Sequence, residues 1–135
     1  MNCIKATIAE VVSKQNLSLV KLVSNKLNFT AIVIDNEESA PYLKKDIEVN
    51  VLFKETEVII SKDMNPQISI QNRIACTIKN INRGDLLCEL TLQAEKFIFK
   101  SIITKNAVEK LALQKEDTVL ALIKTNEISL APIND

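Results

Sequence analysis

Ala107–Ala131 reads AVEKLALQKEDTVLALIKTNEISLA. It divides into a short helical piece (Ala107–Leu113), a polar turn (Gln114–Asp117) and a strand that breaks at Lys124-Thr125 and resumes at Ile128. A weaker copy stands 70 positions earlier, from Glu37 to Ser61, with LKKDIEVNVLFKETEVIIS at its core. The same offset aligns the rest of the chain without a gap. Asn2, Ile4, Thr7 and Ile8 fall on Asn72, Ile74, Thr77 and Ile78; Phe29 and Ile32 fall on Phe99 and Ile102; Lys54 and Glu57 fall on Lys124 and Glu127. One offset that serves both ends is the mark of a duplicated unit. Residues 1–62 and 68–135 are therefore read as two tandem repeats, joined by the polar, proline-containing stretch Lys62–Gln67.

Each repeat is about 60 residues, a size whose single core is marginal, so the two are expected to pack on each other or on another chain. Of the 135 residues, 47 % are hydrophobic and only 4 % aromatic, and the 17 basic residues balance the 17 acidic ones. That composition is folded and β-leaning. Interleaved charge with no basic face argues against a general nucleic-acid binder. No apolar run approaches the roughly 18 residues of a membrane span. The N-terminus, MNCIKATIAEVV, is not a secretory signal, and the protein is expected in the cytoplasm. Histidine is absent, which removes His-based catalysis and the usual zinc sites. Cys3, Cys76 and Cys88 form no CxxC pair; each lies in a strand-like run and is read as a small buried apolar residue.

In chain order, Ile4–Val12, Leu17–Val23 and Asn28–Ile34 read as strands, with Leu17–Val23 apolar enough to be buried on both faces. Asp35–Glu38 looks like a helix start, although Pro41 shortens whatever follows. Ile47–Phe53 and Val58–Ser61 are the fourth and fifth strands. The second repeat follows suit: strands at Ile74–Ile81, Leu86–Leu92, Phe97–Ile103, Thr118–Ile123 and Ile128–Ala131, with a helix at Ala107–Leu113. The turn Asn82–Asp85 holds the single glycine, Gly84, expected at a positive φ. Five short strands with one helix between the third and fourth is the order of a small OB-like barrel, here expected twice, with barrel closure removing exposed edges.

Thr104–Ile128 resembles the C-terminal half of a Mop (TOBE) domain, whose wording is close to T-x-x-x-A-V-E-K-L-G-L-K-K-G-D-x-V-x-A-L-I-K-[ST]-x-x-V. Upstream, Ser69-Ile70-Gln71-Asn72-Arg73-Ile74 stands where such domains open S-A-R-N-x-L. Tandem pairs are similar to molbindins and to the effector half of molybdate-responsive regulators. The resemblance implies molybdate or tungstate held at an interface between domains or protomers of a homo-oligomer, dimer or trimer, with no cofactor and no direct protein–metal ligand. A tetrahedral dianion needs only donors: backbone N–H groups, hydroxyls and a cation or two. Carried over position by position, the family's donors are Ser69, Thr104, Lys124 and Thr125, with Gln71, Asn72 and Lys54 as weaker candidates.

Each has a plainer reading: Thr104 as a helix cap, Lys124 as an exposed strand-end lysine, Ser69 as a linker serine, Lys54, Glu57 and Glu127 as solvated residues. The family's arginine is Gln71 here, and two of its glycines are Ala112 and Glu116. The first repeat has Ile34 at the place of Thr104 and Glu55 at the place of Thr125, where a carboxylate repels an oxyanion, so its site is read as degenerate. The alternative is an interaction or oligomerisation module that has lost the ligand. An OB-type binder of single-stranded nucleic acid would need basic and aromatic residues on one sheet face, and no acid–base or nucleophile–base constellation suggests an enzyme.

Overall fold

The computed structural model describes residues 1–133, which form a mainly β protein of ten strands. In the first repeat these are β1 (Asn2–Lys14), β2 (Leu17–Ser24), β3 (Leu27–Val33), β4 (Glu48–Phe53) and β5 (Ile59–Ser61). In the second they are β6 (Asn72–Arg83), β7 (Leu87–Ala94), β8 (Phe97–Thr104), β9 (Thr118–Ile123) and β10 (Ser129–Pro132). A helix, α1 (Lys105–Lys110), precedes β9, and single 3₁₀ turns at Glu55–Glu57 and Thr125–Glu127 precede the two short last strands.

Each repeat builds a strongly bent antiparallel meander. β1 alternates strictly from Asn2 to Ile8, inward at even positions. It pairs with β4 over residues 2–7 and with β2 from Thr7 onward, with a bulge between Ile8 and Glu10. β6 repeats this design 70 residues later, with its bulge between Ile78 and Asn80. A bulge adds local twist, and that lets one long strand serve two sheet directions. The chain returns to the bulge by the same device in both copies: Asp46 and Glu116 adopt left-handed backbone (φ 71° and 74°), and their N–H groups donate to Ile8 O and Ile78 O, each at 2.7 Å.

The fifth strands are exchanged. β5 pairs with β9 of the second repeat, and β10 pairs with β4 of the first. The sheet orders are therefore β10-β4-β1-β2-β3 and β5-β9-β6-β7-β8. The ladders do not close into full barrels. Instead the edge strands β3 and β8 are covered by the 3₁₀ turns of the opposite repeat. Each edge also receives a side-chain amide. Asn72 accepts from the Thr30 N–H at 2.7 Å and donates to the Thr30 carbonyl at 2.8 Å. Asn2 does the same for Lys100, both bonds at 2.8 Å. An edge strand's free backbone groups are thus paired without another strand.

One continuous core runs through both repeats. At its middle, Phe53 and Phe99 meet edge-to-face, ring centroids 5.9 Å apart, a geometry the ring quadrupoles favour. Tyr42 packs on this core too, its hydroxyl donating to Leu130 O of the exchanged β10 at 3.5 Å; burial, then the nearby Asp35 charge, raises its pKa.

Several expectations need correction. The helix expected near Asp35–Leu43 is a series of turns, in which Asn36 Oδ1 accepts from the N–H groups of Glu38 and Ser39. Pro41 lacks the N–H a further turn would use; α1 has no such break. β2 is buried on one face only, with Leu17 and Val23 exposed; the strand buried on both faces is β9, which lies between β5 and β6. Gly84 has no positive φ. Its need is for space, since a Cβ there would stand 2.6 Å from Leu87 O. Cys3 is exposed, because Asn2 and Ile4 take the inward positions of β1. Cys76 and Cys88 are buried as expected, and burial pushes the Cys76 thiol up to about 12.

Candidate functional site

The β6–β9 ladder opposes Asn72 to Ile123. In an antiparallel pair the next positions outward are Gln71 and Lys124, so these two residues flank the same end of the ladder. Thr125 follows in the 3₁₀ turn, and Ser69 precedes Gln71 by two residues. Lys124, Ser69 and Gln71 are exposed and Thr125 is half-buried. Among the described residues, Lys124 has no carboxylate within salt-bridge distance. This end of the second sheet thus carries one cation, hydroxyls and an amide, all donors open to solvent.

Thr104 lies elsewhere. It ends β8 opposite Leu87, at the Arg83 end of β6. The twelve residues of β6 separate it from Lys124 by a contour of about 40 Å, somewhat less in a straight line because of the bend. Its hydroxyl caps α1, accepting from the Ala107 N–H at 3.0 Å. That leaves its O–H to donate outward. Thr104 lines an open cavity of about 560 Å³ with Asp85, Leu86, Leu87, Lys105, Asn106 and Glu109. Within one chain, then, the fold sets Gln71 beside Lys124 and Thr125, with Ser69 two residues before Gln71, and sets Thr104 apart. Asn72 points inward, 1 % exposed, with its amide engaged by Thr30; its recurrence as Asn2 was the sequence signal for that role. The glycine positions of the resemblance, Ala112 and Glu116, both have left-handed backbone, φ 50° and 74°, the conformation in which glycine is least strained.

Lys54 stands at the equivalent end of the first sheet, and its surroundings are acidic. Glu55 accepts from the Met1 ammonium at 2.8 Å, and that bond above all holds its carboxyl below the ordinary value. Where the two 3₁₀ turns approach, Lys54, Glu57, Asn126, Glu127 and Ser129 line a depression of about 200 Å³ with Met1, Leu52 and Phe53. Glu57 and Glu127, read from sequence as exposed strand residues, lie on these turns. Glu57 Oε2 is buried and has no protein donor. The Glu127 carboxyl beside it, then burial, raises the Glu57 pKa, while Lys54 opposes the shift. Two neighbouring carboxyls repel when both are ionised, so the pair favours a proton on one of them.

The sign of the consequence follows. A carboxyl whose folded pKa exceeds its unfolded value favours folding at low pH, and that contribution is lost as pH rises from the ordinary value near 4.5 through the raised one. Glu57→Gln keeps a donor at neutral pH without the second charge. Its melting temperature is expected to exceed wild type by a few degrees at pH 7 and to match it near pH 4. Equal melting curves at both pH values would remove the carboxyl pair from the account.

Residues 68–130 match the family model for the TOBE domain. A solved structure of the cytoplasmic molybdate-binding protein ModG, in a crystal form with molybdate bound, has the same fold as this chain. The TM-score is 0.90 at 24 % sequence identity, and the match covers 98 % of this chain and 96 % of that one. No curated protein matches the chain by sequence. Among the described residues no cluster of three or more His, Cys, Asp or Glu is placed to hold a metal ion, and no helix is long and apolar enough to cross a membrane.

Proposed function

From a second half that matches the TOBE domain, we infer a cytoplasmic binding protein for a tetrahedral oxyanion, molybdate or tungstate, rather than an enzyme. The observation that supports this reading is the placement of Gln71 beside Lys124 and Thr125, with Ser69 two residues upstream, at one end of the β6–β9 pair, in a chain with the fold of a molybdate-binding protein. The anion is held by hydrogen bonds and one positive charge, without a direct protein–metal bond and without a cofactor. Donors of this kind suit a dianion, whereas a partly protonated phosphate presents an O–H to a site built of donors.

The reading takes residues 68–135 as the binding unit and residues 1–62 as its degenerate partner. In the first repeat Glu55 places a carboxylate beside Lys54, and Ile34 replaces the threonine hydroxyl. Because Thr104 and Lys124 lie at opposite ends of one sheet, both reach a single anion only if a second copy supplies one of them. A homo-oligomer, dimer or trimer, is therefore part of the proposal, in a role of storage or sensing and with no direct contact to nucleic acid. Exposed Val12, Leu17, Ile34, Leu86 and Leu87 favour association of copies on their own account, so an oligomerisation module without ligand is the second reading.

Calorimetric titration separates the two. Molybdate is expected to bind saturably at roughly micromolar concentration or below, with sulfate and phosphate as silent controls. Lys124→Ala is expected to weaken binding by about 10- to 100-fold, the scale of one charge-assisted contact. No heat and no thermal stabilisation at millimolar molybdate would leave the oligomerisation module.

A further inference from the structure

We propose that Arg73 is a positioning residue for this oxyanion site: its guanidinium fixes the segment that carries Ser69 and leads into Gln71, and through it sets ligand affinity. The inference rests on the oxyanion reading.

Arg73 lies on β6, two residues beyond Gln71 and on the same face of the strand, because Asn72 and Ile74 point inward. Its guanidinium donates three hydrogen bonds, all to backbone carbonyls of one segment. Nε reaches Ile70 O at 2.9 Å, Nη1 reaches Pro66 O at 2.8 Å, and Nη2 reaches Ile68 O at 2.7 Å. These acceptors bracket Ser69 on both sides. Among the described residues, the segment has no other hydrogen bond that would hold it. β5 ends at Ser61, the ladder resumes only at Asn72, and the turn bonds of Ser61 and Asn65 reach no further than Asp63. Ser69 is therefore held at the end of β6 by a side chain and not by a sheet.

The chemistry selects arginine. Three carbonyls at alternate residues are met by a planar fork with separate donors; a lysine ammonium is a compact point charge and cannot span them. The guanidinium is not neutralised, since among the described residues no carboxylate lies within 4.0 Å of it. The first repeat has Cys3 at this position, so the repeat with the poorer donor set also lacks the strap.

Charge and position make different predictions. Molybdate affinity is measured by calorimetry on the full chain for wild type, Arg73→Gln, Arg73→Lys, Ser69→Ala and the double variant Arg73→Gln/Ser69→Ala. Backbone order over Gln67 to Gln71 is followed by NMR relaxation of the amides. If Arg73 acts by holding the segment, Arg73→Gln and Arg73→Lys both weaken binding by roughly tenfold, the scale at which a supporting residue tunes a bound ion. The segment then loses order while β6–β9 does not, and Arg73→Gln adds little once Ser69 is alanine. Full affinity in Arg73→Lys, unchanged order of the segment, or independent effects of Arg73→Gln and Ser69→Ala would each overturn the assignment. A wild type that takes up no molybdate overturns the oxyanion reading and this one with it. A wild type that binds while both Arg73 variants bind as well overturns the role of Arg73 alone.

Discussion

Chains cut in the Lys62–Gln67 connection are expected to lose the folded monomer: neither half alone should give a cooperative unfolding transition as a single copy. The exchange of last strands is the reason. The first half would carry β5 away from β9, where Ile59–Ser61 pair with Leu122–Leu120. It would also leave β4 without β10, opening the edge that Leu52–Val49 present to Ser129–Pro132. Val58 and Ile60, 2 % and 8 % exposed in the intact chain, would lose their cover. Fragments of this size have little core in reserve, and an unpaired apolar edge invites association with another copy. Circular dichroism with sedimentation analysis should find each half unfolded or self-associated, and an equimolar mixture should restore a one-to-one complex with the spectrum of the whole chain. A half that melts cooperatively as a monomer would show that the exchange is dispensable.

Replacement of Asn72 by alanine should be the most damaging single polar substitution, at about 2–5 kcal/mol, because it leaves both the N–H and the carbonyl of part-buried Thr30 unpaired at once. The side chain is 1 % exposed and pairs with both the N–H and the carbonyl of that residue. Asn72→Asp should be no better at neutral pH: it keeps an acceptor for the N–H but faces the Thr30 carbonyl with a charge instead of a donor. The equivalent Asn2→Ala should cost less, since Asn2 is 7 % exposed and water can reach the groups it leaves. Urea unfolding of the variants measures the difference. An Asn72→Ala protein within about 0.5 kcal/mol of wild type, the range of ordinary surface substitutions, would mean that Thr30 finds other partners.

Much of this architecture was legible before any coordinates. The 70-residue offset predicts two units with the same order of strands. Local chemistry also places the α1 cap at Thr104. Where the reading failed, a competing local rule prevailed. Pro41 and the Asn36 turn displaced a helix that the second repeat keeps. The apolar content of β2 predicts burial on both faces, whereas its burial alternates in the structure. The candidate site was legible only as a set of residue types. That Lys124 and Gln71 flank one ladder end, while Thr104 sits at the far end of the same sheet, depends on register, which a family motif does not carry.

By itself the sequence determined that this is a duplicated, mainly β chain, and it set the apolar, charged and hydroxyl-bearing positions along it. Those properties belong to side chains: alternation, charge and hydroxyls are written residue by residue. Only the tertiary structure decided that each last strand crosses to the other repeat, that Asn2 and Asn72 bind edge strands, and that Arg73 straps the segment carrying Ser69. In each of these a backbone N–H or carbonyl is the partner, and every non-proline residue offers the same two groups. Which ones meet is set by the path of the chain and not by any residue's identity.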